Sequence, residues 1–129
     1  MSDSPKKENY QLQIIISSGK DNISKAILGF AFALSAASVN TSVVIFFTME
    51  GACWTDSEMG HDKPVEGFES IETYWNLLAE LGADFEGCTS CVENYCNDIN
   101  RVCTPRHNMI LAGLSSAAIR SFNTQTIVF

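Results

Sequence analysis

Two short runs constrain the fold most: Leu12-Gln13-Ile14-Ile15-Ile16 and Ser42-Val43-Val44-Ile45-Phe46-Phe47-Thr48. Both are rich in β-branched and aromatic residues and almost continuously apolar. Strands of that kind are covered on both faces, as in parallel sheets held between helical layers. The segment joining them has helical spacing over 23–38, with Ile23, Ile27, Phe30, Leu34 and Ala37 on one face. Its other side carries Ala26, Gly29, Ala33 and Ala36, small rather than charged. A helix so uncharged is expected to be buried on two sides, one on the sheet and one against another subunit. Asp21 or Asn22 is placed to cap it.

The alternation continues. A helix is expected over 70–81, with Ile71, Trp75, Leu78 and Leu81 inward and Gly82 at its end. A third strand follows over 83–87, a fourth over 108–112, a helix over 114–122 and a fifth strand over 126–129. Strands alternating with helices predict right-handed crossovers and an α/β fold. The expected architecture is a three-layer sandwich with a mostly parallel five-stranded sheet. With 129 residues there is room for a single domain, read as 11–129 behind a flexible tail at 1–10. Residues 55–67 are polar, contain Gly60, Pro64 and Gly67, and read as a long loop.

The formal net charge is −7 and no basic stripe is present beyond Lys6-Lys7, which argues against nucleic acid as a partner. The start of the chain is polar, and the most apolar stretch, 26–39, is too short to span a bilayer. The expectation is a cytoplasmic protein with reduced thiols and no membrane partner. Ser17-Ser18-Gly19-Lys20 lacks the frame of a phosphate-binding loop, and no Ser-His-Asp order or His-Glu-x-x-His motif occurs.

Chemistry concentrates in cysteine. Of five cysteines, four are Cys88, Cys91, Cys96 and Cys103, and the fifth is Cys53. Cys88 and Cys91 form a C-x-x-C pair where the third strand should meet a helix. There the unpaired N–H groups of a helix's first turn favour thiolate. Ser90 and Glu93 fit a capping box, with Ser90 as N-cap. The bland reading is that Cys88 is a small buried residue in a turn. The pair alone is compatible with a redox dithiol, half a zinc site, or a nucleophile with its resolving thiol.

The four clustered cysteines are spaced x2, x4, x6, which matches neither a zinc ribbon nor a plant-type iron–sulfur pattern. Were 96–103 one helix, Cys96 and Cys103 would stand two turns apart, about 10 Å, too far for a disulfide. Cys53, beside Trp54, falls on the same sheet edge and reads equally as a reactive or a packed thiol. His61 and His107 read more simply as solvated side chains than as bases or ligands.

These residues carry a resemblance. Ile14-Ile15-Ile16-Ser17-Ser18-Gly19, Val43 through Gly51, Leu81 through Cys88, and Leu111-Ala112-Gly113 through Phe129 are similar to the DsrE/DsrF-like family of small sulfur-relay proteins, including its TusD-type subunits. The resemblance implies a persulfide carrier or sulfurtransferase without a cofactor, with Cys88 at the position of the family's functional cysteine. It also implies a homotrimer, hexamer or related assembly, and sulfur donor and acceptor proteins as partners. The chain departs from the family pattern in its additional thiols: Cys91, read as a resolving thiol, then Cys96 and Cys103. The alternative is a non-catalytic subunit in which Cys88, Cys91, Cys96 and Cys103 hold zinc or an iron–sulfur centre.

Overall fold

A computed structural model describes residues 9–96 and 102–129. The elements are β1 (Leu12–Ile16), α1 (Ile23–Ser38), β2 (Val43–Phe47), a 3₁₀ segment (Met49–Thr55), α2 (Ile71–Glu80), β3 (Asp84–Cys88), α3 (Thr89–Cys91), a π-helical turn (Val92–Cys96), β4 (Met109–Ala112), α4 (Leu114–Arg120) and β5 (Gln125–Val128). The five strands form one sheet in the order β4-β3-β2-β1-β5, and every pairing is parallel. The expected α/β architecture is therefore the one observed. Most of the expected tail lies outside the described residues, but the folded part reaches back to Tyr10. That side chain is buried and its hydroxyl donates to Asp84 at 2.6 Å.

The larger core lies where α1 and α2 cover one face of the sheet. Ile14, Ile16, Val43, Ile45, Phe47 and Phe85 point into it from the strands. Aromatic rings run through it, with centroids 5.6 Å apart for Phe30–Phe47, 5.3 Å for Phe47–Trp75 and 3.9 Å for Trp75–Phe85. Asn22 caps α1 by accepting from the Lys25 N–H, and Ser70 caps α2 by accepting from the Thr73 N–H. Gly82 ends α2 at φ +85°, a conformation glycine adopts without strain.

Two helical expectations need correction. Ala26, Gly29 and Ala33 do not form a free second face; all three are buried beside Ile27 and Phe30, and Gly29 lies against the Phe129 side chain. What α1 exposes is Leu28 and Phe32 among serines and Lys25. Leu81, expected inward, is half exposed because it sits beyond the last helical residue, where the chain turns into Gly82.

The second face of the sheet has a smaller core: Phe46, Ala52, Cys88, Cys91, Val92, Cys96 and Ala117. Beside it lies a charged network. Glu86, fully buried on β3, receives two 2.8 Å hydrogen bonds from Arg120 of α4. Arg120 also donates to the Gln13 side-chain oxygen at 2.8 Å, and Gln13 donates to the Ala117 carbonyl and to Thr126. A buried carboxylate is tolerated only when paired in this way. The network ties β1, β3, α4 and β5 together.

Candidate functional site

Ligand sites in parallel α/β sheets form beyond the carboxyl ends of the strands. At that edge the Ser17-Ser18-Gly19 turn packs directly on Glu50-Gly51. A Cβ on Gly51 would stand 2.2 Å from the Ile16 carbonyl oxygen, and one on Gly19 would stand 2.4 Å from that of Glu50. The glycine at 51 thus serves close backbone approach, and the positive φ of +50° falls on Met49. The Gly51 N–H donates to the Ser17 and Thr48 carbonyls, and the Trp54 indole donates to the Ser18 carbonyl at 2.9 Å. The result fixes Thr48 and Met49 next to the end of β3.

Cys88 is the last residue of β3, in register with Ala112 of β4, and it is itself the N-cap of α3. The expected N-cap, Ser90, lies inside that turn and is exposed, so the capping box does not form; the strand runs one residue further than its sequence suggested. Gly87 leaves room for Val92 to fold back on the strand, since a Cβ there would be 3.0 Å from the Val92 side chain. This fold-back brings Cys91 against both Cys88 and Thr48.

Cys88 and Cys91 are 7% and 9% exposed. Thr48 Oγ1 lies 3.5 Å from Cys91 Sγ. Burial pushes the Cys91 thiol up, but hydrogen bonds from the Thr48 hydroxyl, the Met49 N–H and the Cys88 thiol outweigh it and hold Cys91 below the ordinary thiol value. The lowered value favours thiolate at Cys91, with Cys88 among its hydrogen-bond partners. Neither Thr48 nor the Met49 N–H was singled out from the sequence, although both lie in the Val43–Gly51 run that carried the resemblance. A small hydroxyl at the end of an apolar strand was the available signal.

Cys53 is on the same edge but belongs to the other core, beside Trp54 and the α1–α2 layer. Burial is the main cause raising its thiol to about 11, so it stays protonated near neutral pH. On that side a cleft of about 260 Å3, bordered by Lys20, Trp54, Met59, Asp62 and Ile71, includes no cysteine in its lining. His61 bonds the Ser57 carbonyl and lies 3.1 Å from Glu72 on the surface, and His107 contacts Asn76 at 3.1 Å. The structure brings neither histidine to the sulfur pair.

Cys96 and Cys103 depart most from expectation. They are joined as a disulfide with Cα atoms 5.5 Å apart, not reduced. Their Cα atoms are too close to be the ends of a two-turn helix, and the chain at 103–106 is pinned against another segment. Asp56 and Pro105 form an antiparallel bridge, Ser57 N–H donates to Thr104 at 2.7 Å, and Arg106 N–H donates to Thr55 at 2.8 Å. Among the described residues, the donor atoms that converge enough to share a metal are those of Asp56, Cys96 and Cys103, all within 4.8 Å of one another. Cys88 and Cys91 are not part of that group, so the four cysteines do not make one metal centre.

Comparison with known proteins agrees with this fold. A comparison with curated proteins finds no match. Among solved structures, the chain is similar to the YchN protein from E. coli, with TM-score 0.73 and 12% identity over 94% of this chain and 100% of that one. It is also similar to MTH1491 from Methanobacterium thermoautotrophicum, described as a protein of unknown function, with TM-score 0.66, 13% identity and the same coverage. BT1422 from Bacteroides thetaiotaomicron follows with TM-score 0.58 and 11% identity over 92% and 95% of the two chains. At such identities these likenesses establish the fold alone. The sequence itself matches the profile of the DsrE/DsrF-like family over residues 11–124, and the chain belongs to that family.

Proposed function

We propose that this protein is a sulfur-relay subunit in which Cys88 accepts a sulfane sulfur and passes it to a partner thiol. The observation that carries this is the Cys88–Cys91 pair at the end of β3, with Cys91 held toward thiolate by Thr48, Met49 and Cys88. A persulfide or polysulfide donor enters at Cys88. As Cys88 Sγ attacks the terminal sulfur, its proton moves to the Cys91 thiolate, the donor's S–S bond breaks, and the departing thiolate takes that proton from Cys91 to leave as a thiol. The product is Cys88–S–SH. Attack by an acceptor thiol on the outer sulfur reverses the step and returns Cys88 to thiol. Where no acceptor arrives, Cys91 can attack the Cys88 sulfur, releasing H2S and closing a Cys88–Cys91 disulfide.

Membership of a family associated with sulfur relay supports the reading, as does the burial of both cysteines in the smaller apolar core, which limits stray oxidation. We infer a cytoplasmic homotrimer or hexamer with sulfur-donor and sulfur-acceptor proteins as partners. Leu114, Ile119, Phe122 and Val128 support assembly, since all are exposed around α4 and β5. Among the described residues no helix is long and apolar enough to cross a membrane.

A second reading has its own support: Cys91, as the thiolate, is itself the acceptor. Intact-mass spectrometry after incubation with polysulfide separates the two. The account expects a gain of one sulfur atom on the wild type, none on Cys88→Ser, and a slowed gain on Cys91→Ser. Loss of the gain in Cys91→Ser with retention in Cys88→Ser assigns the carrier to Cys91. No gain on the unreduced wild type under any dose defeats both.

A further inference from the structure

Beyond sulfur transfer, we propose that Asp56, Cys96 and Cys103 form a redox-gated site for a thiophilic divalent cation of the zinc class. The site is closed by the disulfide and opened by reduction.

The donor set is assembled from two chain segments already locked together. Thr55 and Asp56 end the 3₁₀ segment, and Cys103 to Arg106 run beside them through the Asp56–Pro105 bridge and the Arg106–Thr55 hydrogen bond. Asp56 is 1% exposed. Its Oδ1 accepts the Glu58 N–H at 3.0 Å and the Thr104 N–H at 3.4 Å, which fix the carboxylate's direction. Cys96 is buried, with Thr55 Oγ1 at 3.7 Å from its sulfur, and Cys103 is half-buried. Nearby, the buried Arg106 donates to the Trp54 carbonyl at 2.7 Å and to the Met59 carbonyl, which holds the scaffold of the site, and its charge also faces Asp56.

The three donor atoms already lie within 4.8 Å of each other. Two zinc–sulfur bonds of about 2.3 Å at the tetrahedral angle place the sulfurs roughly 3.8 Å apart. Opening the disulfide therefore needs only a small separation, inside the envelope the donors occupy. Two thiolates beside a buried carboxylate repel one another, and a divalent ion offsets that repulsion. Sulfur donors select zinc-like ions over calcium and magnesium. Three protein donors leave a fourth position for water or an incoming ligand.

The gating step balances. An external thiol attacks Cys103 Sγ, the more exposed sulfur; the Cys96–Cys103 bond breaks, a mixed disulfide forms on Cys103, and Cys96 leaves as a thiol. A second external thiol attacks the outer sulfur, releasing Cys103 as a thiol and the reductant as its disulfide. Binding Zn2+ then displaces two protons from the cysteines, while Asp56 binds as the carboxylate.

The test is equilibrium uptake of Zn2+ by the full chain, carrying Cys88→Ser and Cys91→Ser so that the relay pair contributes no ligands. Protein is compared before and after reduction by a phosphine, against a competing chromophoric chelator. One Zn2+ per chain is expected after reduction and none before. In the reduced state Asp56→Asn and Cys103→Ser should each weaken binding by roughly 10–100-fold or more. Equal uptake in the oxidised and reduced forms overturns the proposal. So does reduced protein that takes up no Zn2+, or uptake that Asp56→Asn and Cys103→Ser both leave unchanged. Asp56→Asn preserves shape, and the oxidised–reduced comparison needs neither site variant, so misfolding cannot mimic the expected result. Failure here leaves sulfur transfer at Cys88 untouched, because that is read by mass gain on the wild type.

Discussion

At the scale of single residues, the site works through Thr48 as much as through cysteine. Its hydroxyl lies 3.5 Å from Cys91 Sγ and helps hold that thiol toward thiolate. Thr48→Val keeps the shape and removes the donor, so the pH midpoint of Cys91 alkylation should rise toward that of an ordinary thiol. An unchanged midpoint would place the cause elsewhere. The sign of the linked stability follows from the lowered value. The contribution is fully present above the unfolded thiol's pKa, near the reference 9.0, and is lost as pH falls through the lowered folded value. Denaturant midpoints of wild type and Thr48→Val should therefore converge on the acid side of that window. The sequence located the pair but not Thr48, which is 43 residues away in the chain and is brought to it by the parallel pairing of β2 with β3.

At the scale of elements, the strands and both long helices were legible because each carries a full apolar period and a capping residue. Ser70 and Asn22 act as caps, and α1 spans the expected 23–38. The segment from Cys88 to Cys103 was not legible. Its capping box competes with extension of β3 by a residue, and the course of 103–106 beside Asp56 is set by hydrogen bonds between segments distant in sequence, which leave no local pattern. The Glu86–Arg120 pair was also missed, since charged residues 34 positions apart give no periodic signal. Removing one member of a buried pair strands the other. Arg120→Ala should accordingly destabilise the fold by about 3–5 kcal/mol in urea unfolding. A loss below about 1 kcal/mol would mean the pair is hydrated like a surface bridge. Gly51→Ala meets the Ile16 carbonyl rather than a side chain that could move. It should cost about 1–3 kcal/mol or more, with reduced persulfide uptake as the Thr48 turn shifts.

At the scale of the whole molecule, one face of the sheet is covered by α1 and α2, whereas the other is packed by the 3₁₀ segment, α3 with its π-turn, and the seven-residue α4. Ile119 and Phe122 remain 64% and 78% exposed. On the proposed assembly these are interface residues. Ile119→Asp combined with Phe122→Ser should reduce the molar mass seen in light scattering to that of one chain, with the far-UV spectrum unchanged. A wild type already monomeric at micromolar concentration contradicts the assembly without touching the chemistry of the pair.

The central claim is that the sulfur lands on Cys88. Its most direct test is fragment-level mass spectrometry of wild-type protein after brief exposure to limiting polysulfide, with persulfides trapped by alkylation. The account predicts one added sulfur on Cys88, with Cys91 and Cys53 unmodified. An added sulfur found first on Cys91 or Cys53, or none on any cysteine, would contradict it.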